Sequence, residues 1–211
     1  MLKPAILFKE ELSNKFKEYY YTNDMMFETG CLNNWNPDIH ENPNPETYQY
    51  AIVNKDNKVI GYLAYYIDWY SSRAYGFGLF SFDRGNSTIG FDLFNEMKKL
   101  IHDYKLHRIE WRMVGGNPIK KHYHKFCKKY NGNILKLKDV FKDRNGKYHD
   151  DYIYEIIDGY KVMESEEWMD RYEIYNKISE LLDVAVNNLY QHEVNWLIDR
   201  LMTDLKDLRE D

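Results

Sequence analysis

Cysteine is scarce in this chain. There are two, Cys31 and Cys127, far apart in 211 residues. They offer neither a disulfide framework nor a metal-ligand spacing. The reading is a cytoplasmic protein with free thiols. Long apolar runs are missing too. None approaches the roughly 18 residues that would indicate a membrane span, and the apolar part of Met1 to Glu10 is too short for a signal peptide. No internal repeat and no nucleic-acid motif appears. No sign of charge dominates: the net charge is −5. His122, His124 and His149 have the residue type of a metal site without a Cys or carboxylate partner at a metal-binding spacing, so no metal is expected.

What is present describes a folded protein. Apolar residues make up 44% and charged residues 30%, the balance of a soluble globular chain rather than a disordered one. The length suits one sizeable domain with an appendage. The 20 tyrosines, with many Lys and Asn, point to an AT-rich coding sequence and carry no chemistry.

The informative stretch runs from Ser72 to Tyr104. Its first part is aromatic and holds Gly76 and Gly78, as in a strand approached closely by a backbone or a ligand. A polar turn with Gly85 and Gly90 follows. Phe91, Phe94, Met97, Leu100 and Ile101 then recur at helical spacing. A strand, a polar turn and a helix aim free amides and a positive dipole end at one point, where an anion such as a phosphate fits.

The rest of the chain frames that unit. Pro4 to Phe8 reads as a short strand. Glu10 to Tyr21 is a helix with Leu12, Phe16, Tyr19 and Tyr20 on one side. Residues 22–46 form a loop broken by Asn and Pro, read as a lid or as a substrate-binding wall. Strands follow at Tyr48–Val53, Val59–Trp69 and Tyr75–Phe82, an antiparallel meander with its first turn at Asn54 to Lys58. After a helix at 89–104 comes a strand at His107–Val114, placed parallel by the crossover. Asn117 caps a helix that Pro118 begins and that runs to Lys129. Asn133–Phe141 and Tyr148–Ile157 form a hairpin about Asn145 and Gly146. Residues 1–158 are one domain.

Residues 159–211 are a C-terminal helical extension with 6 Lys/Arg against 13 Asp/Glu. Its amphipathic stripe, from Trp168 to Leu208, packs on the domain or forms a homodimer contact.

This order of elements resembles the GNAT superfamily of acyl-CoA-dependent N-acyltransferases. The resemblance covers residues 1–157 and is carried by residues 75–157. It implies an α+β fold: a mixed sheet of antiparallel meander and strand-helix-strand, flanked by helices, with C-terminal amphipathic helices added. In that family a Gln or Arg, two residues, Gly, one residue and Gly or Ala cradle the pyrophosphate of coenzyme A. The matching run here is Gly85, Asn86, Ser87, Thr88, Ile89 and Gly90. Gly90 fits; Gly85 and Thr88 replace the Gln/Arg and the first glycine, while Arg84 offers the charge.

A second marker is Asn117 followed by Tyr123. It looks like the family segment whose Asn contacts the cofactor and whose Tyr points at its sulfur, although the interval is six residues instead of seven. The resemblance implies acetyl-CoA as co-substrate and an amine acceptor, small molecule or protein. An amide near Phe80, Ser81 and Phe82 would polarise the thioester carbonyl, and Tyr123 would act as general acid. Glu110, Glu28 and Asp83 are the candidates for general base. The excess of positive charge in residues 98–138, 12 Lys/Arg against 2 Asp/Glu, suits a phosphorylated cofactor. The alternative is a catalytically inactive protein of the same fold, acting through its basic face or helical tail.

Overall fold

The structure is a computed structural model and describes residues 1–27, 37–41 and 44–162. Glu28, Cys31 and the C-terminal helical stripe lie outside the described residues, as do residues 28–36 and 42–43 of the loop at 22–46.

Seven strands form one sheet in the order β1-β2-β3-β4-β5-β7-β6. They are β1 (Leu2–Pro4), β2 (Thr47–Val53), β3 (Val59–Asp68), β4 (Arg73–Ser81), β5 (Arg108–Val114), β6 (Asn133–Lys142) and β7 (Tyr148–Ile157). Among the described residues three α-helices accompany them: α1 (Lys9–Tyr20), α2 (Ser87–His102) and α3 (Lys120–Lys129). All neighbours pair antiparallel except β4 and β5, which are parallel. This is the mixed α+β sheet expected from the alternation of strands about one crossover helix.

Three boundaries moved for physical reasons. The first strand is Leu2–Pro4, paired with β2, and Ala5–Phe8 is a 3-10 turn. So short an apolar run has no periodicity to tell the two apart. Helix α2 starts at Ser87, two residues earlier than its apolar spacing suggests, because the Asn86 side chain caps it. Helix α3 starts at Lys120, and Asn117 and Pro118 belong to the turn before it.

The helices cover the sheet from two sides. On one face Leu12, Phe16 and Tyr19 of α1 meet Ala51, Tyr62, Ala64 and Phe80. Phe16 is fully buried, edge-on to Tyr62 and Phe80 at 5.1 and 4.9 Å between ring centres. On the other face Leu93, Met97, Leu100 and Phe126 of α2 and α3 pack on Leu63, Ile67, Ile109, Trp111 and Tyr154. Residues three and four apart on a helix and two apart on a strand supply these contacts, so the two periodicities in the sequence converge on the same core.

A bulge shapes the middle of the sheet. Ala64 pairs with Gly78 and Tyr66 with Tyr75, so Gly76 and Phe77 of β4 stand against Tyr65 alone. Gly76 has φ +65, a conformation glycine adopts without steric penalty. A bulge bends its strand and increases its twist. β4 and β5 pair only at Arg73 with Arg108 and at Ala74 with Ile109. The bulge comes directly after the last of these pairs, and the two strands diverge from there.

Candidate active site

The divergence leaves a wedge between β4 and β5, closed at Ala74 and open toward Ser81 and Val114. Backbone direction settles which groups line it. The Arg108 amide donates to Ser72 O on the β4 side, and the Gly115 amide donates to Asp150 O on the β7 side. Amides alternate in direction along a strand, so those of Glu110, Arg112 and Val114 face the wedge. On β4 the Phe82 amide donates to Ile60 O of β3. The amides of Leu79 and Ser81 therefore face the wedge, while that of Phe80 faces β3. Of the three positions singled out there from sequence, Ser81 presents its amide and Phe80 and Phe82 do not; Leu79 was missed.

At the open end β4 runs into the turn before α2. The amides of Phe82 and Asp83 both donate to Ile60 O, at 2.9 and 3.2 Å. The Asn86 amide bonds Asp83 O, its side-chain nitrogen bonds the Asp83 carboxylate at 2.8 Å, and its side-chain oxygen accepts from the Thr88 amide at 3.1 Å. The Ile89 amide bonds Asn86 O. Ser87, Thr88, Ile89 and Gly90 thus form the first turn of α2 instead of a loop. Gly85 has φ +84. No atom lies within 4 Å of where a Cβ would stand on Gly85 or on Gly90. The turn thus offers two open approaches to backbone at the positive end of a helix, which suits a phosphate. Arg84 reaches Asp24 of the 3-10 turn at Asn23–Phe27, with 2.5 Å between charged atoms. Its charge is engaged, and an incoming phosphate would have to exchange for that carboxylate.

The two faces of β5 differ in chemistry. Ile109, Trp111 and Met113 are buried toward α2 and α3, and Arg108, Glu110 and Arg112 point the other way. Tyr123 projects from α3 into the first group. It is 6% exposed, with its ring 5.8 Å from Trp111, 5.9 Å from Phe94 and 5.6 Å from Tyr154. Glu110 lies on the opposite face, accepting from Arg108 Nε at 2.9 Å with Arg73 Nη1 at 3.7 Å. The general acid and general base candidates therefore flank β5 from opposite sides of the sheet. Asp83, another base candidate, is held within the turn by Asn86.

Asn117 organises the connection from β5 to α3. Its side-chain oxygen accepts from the Ile119 amide at 3.1 Å, its own amide donates to Val114 O, and its carbonyl accepts from Lys120 N. Beyond it, Lys120 of α3 donates to Tyr152 OH at 2.8 Å. His124 sits 2.9 Å from Tyr154 OH and 3.0 Å from Lys120 O, and burial lowers its pKa. His149 lies 3.1 Å from Gly115 O and 3.0 Å from Asp143. Each of these two histidines is engaged by its own neighbours.

One residue of this region escaped the sequence reading. Asp151, on β7 opposite Val114, is fully buried. Its Oδ2 accepts from Nε and Nη2 of Arg112, while its Oδ1 is buried with no partner among the described residues. Leaving such an oxygen unbonded costs about 1–3 kcal/mol, and more when the group is charged. The local sequence gave one signal, a carboxylate in the middle of a strand. On sequence alone it is one residue of the strand Tyr148–Ile157, with no role assigned.

No protein-family model matches the sequence and no curated protein matches it. Solved structures do. A structure assigned as a phosphinothricin N-acetyltransferase aligns with a TM-score of 0.53 at 13% identity, over 74% of this chain and 97% of that one. A Chromobacterium violaceum structure assigned to the GNAT-family acetyltransferases aligns at 0.49 and 14%, over 72% and 84%. A GCN5-related N-acetyltransferase from Brucella melitensis aligns at 0.48 and 13%, over 76% of both chains. Two more structures assigned as acetyltransferases are matched over only 63% and 61% of their own lengths. With its meander, bulged β4, crossover helix and parted β4–β5 pair, the chain has the fold of the GNAT acetyltransferases.

Proposed function

We propose that this chain is an N-acetyltransferase that moves an acetyl group from acetyl-CoA to a primary amine by direct attack. The observation that carries the reading is the wedge between β4 and β5, which leads from the inward-facing Leu79 and Ser81 amides to the glycine-bearing turn at the start of α2. The thioester would supply the activated acyl group. The turn at Gly85–Gly90 and the N-terminus of α2 would hold the pyrophosphate, with Arg84 leaving Asp24 for a phosphate oxygen. The Leu79 or Ser81 amide would donate to the carbonyl oxygen as charge builds on it. Tyr123, from the α3 side of β5, would protonate the departing thiolate. A carboxylate on the opposite face would take the proton released by the amine, with Glu110 nearest the closed end of the wedge. Asn117 would hold the β5–α3 turn against the cofactor.

One observation favours the second reading, a binding protein of the same fold without catalysis. The amides of Asn86, Thr88 and Ile89 already have partners within the turn, and those of Phe82 and Asp83 have one on β3, leaving fewer donors for a phosphate.

Turnover of Tyr123→Phe separates the two. Loss of one general acid should lower kcat by about a hundredfold while the affinity for acetyl-CoA stays within a factor of about two. Unchanged kcat would return Tyr123 to a purely structural place among Phe94, Trp111 and Tyr154.

A further inference from the structure

We propose that Asp151 is an acceptor-binding residue. Its unpartnered Oδ1 takes a hydrogen bond from a second N–H donor of the amine substrate, away from the nitrogen that is acetylated. This rests on the acetyltransferase reading above.

Four buried side-chain polar atoms lack a hydrogen-bond partner among the described residues: Arg73 Nε, Asp92 Oδ2, Trp111 Nε1 and Asp151 Oδ1. Asp92 Oδ2 lies 2.5 Å from the Met1 ammonium, which accounts for it. The other three belong to β4, β5 and β7, the strands at and beside the wedge. Trp111 lies on the α2–α3 face and Arg73 at the closed end of the wedge, so Asp151 stands apart from both. Buried polar groups are nearly always bonded, and its unpartnered oxygen calls for one.

Asp151 is the strongest of the three, because it is a carboxylate held in place with one oxygen left over. Arg112 takes one oxygen with two donors and fixes the carboxylate, leaving the other oxygen as a ready acceptor. Its register opposite Val114 puts it on the face of the sheet that carries Glu110 and Arg112, at the open end of the wedge. The 3-10 turn Asn23–Phe27 packs on β5, and Phe27 Cε1 lies 3.9 Å from where a Cβ of Gly116 would stand. The carboxylate is covered there, so an acceptor reaches it by displacing that turn or the half-exposed Arg112 side chain.

Geometry also says which group Asp151 can hold. β7 is one strand beyond β5, about 5 Å further from the wedge. The nitrogen attacking a thioester in the wedge is therefore out of its reach. A second donor about 5–10 Å along the acceptor, one or two strand spacings away, is within it. A cationic nitrogen suits a buried carboxylate best. The acceptor class is thus a small amine with a second amino group at that spacing.

The test compares n-butylamine with 1,4-diaminobutane, using acetyl-CoA as donor. In the wild type kcat/KM should favour the diamine by about tenfold or more, as expected for one charge-assisted hydrogen bond. Asp151→Asn should bring the two amines to within about twofold, leaving the KM for acetyl-CoA unchanged. Calorimetric titration with 1,4-diaminobutane alone should show a Kd weakened by about tenfold in the variant. Equal use of both amines by the wild type, or a preference that survives in Asp151→Asn, overturns the proposal. Should Asp151→Asn fail to fold, the wild-type comparison decides alone. If neither amine is acetylated but the titration shows binding that depends on Asp151, the acetyltransferase reading fails and the carboxylate site stands.

Discussion

The two halves of the sheet are covered differently. From β1 to β4 both faces are closed by packing, with α1 on one side and α2 on the other. From β5 to β6 the α2–α3 side is equally apolar, but the opposite face carries an ionic ladder. Arg108 joins Glu110 and Glu155 at 2.9 Å each, and Arg112 joins Asp151. The first half behaves as scaffold: around Phe16 the aromatic rings meet edge-on. The second half sets charged side chains beside the wedge, and there an unpaired carboxylate oxygen is tolerated. Binding chemistry sits where the sheet gives up packing, with the bulged β4 as the border.

Substitutions on the two halves should separate these roles. The largest effect belongs to the scaffold. Phe16→Ala removes a fully buried ring from between Tyr62, Phe80 and Phe82, and should cost about 3–5 kcal/mol in chemical denaturation. Arg108→Ala, on the ladder, should cost no more than about 1 kcal/mol, because its 40%-exposed side chain keeps its ion pairs in water's reach. Equal losses for the two would erase the distinction.

A further effect, confined to alkaline pH, concerns Cys127. Burial pushes its thiol up from 9.0 to about 11, so folding favours the protonated form. That contribution is complete below pH 9.0 and is lost as pH rises toward about 11. Stability should fall by about 2 kcal/mol across that window in wild type, and less so in Cys127→Ser once the other titrating groups common to both are subtracted. Alkylation by iodoacetamide at pH 8 should be slow at Cys127 in the native protein and fast in denaturant, as mass spectrometry would show. Fast native labelling would place the thiol at the surface.

Much of the fold was legible because its signals are local. Period-two alternation in Arg108–Val114 assigned the two faces of β5 correctly, and the stripe from Phe91 to Ile101 located α2. The Asn145–Gly146 pair marked the β6–β7 hairpin. The site was less legible because its decisive facts are relations between distant residues. Gly76 and Gly78 signalled a close approach, but that Gly76 takes the bulge depends on the register with β3. Whether Phe80 or Ser81 turns its amide to the wedge depends on which strand Phe82 bonds. Arg84 looked available until Asp24, sixty positions earlier, came alongside it. Asp151 was one more residue of the strand Tyr148–Ile157 until pairing with β5 set it opposite Val114.

The central claim is that the wedge and the turn at Gly85–Gly90 bind an acyl-CoA. Thermal and chemical unfolding with and without acetyl-CoA tests it most directly. At a hundredfold excess over its Kd the ligand should add about 2.7 kcal/mol of stability. Thr88→Asp, which sets a carboxylate in the first turn of α2, should abolish the gain while the ligand-free protein unfolds as before. No gain in the wild type at millimolar acetyl-CoA, or a full gain retained in Thr88→Asp, would contradict the account.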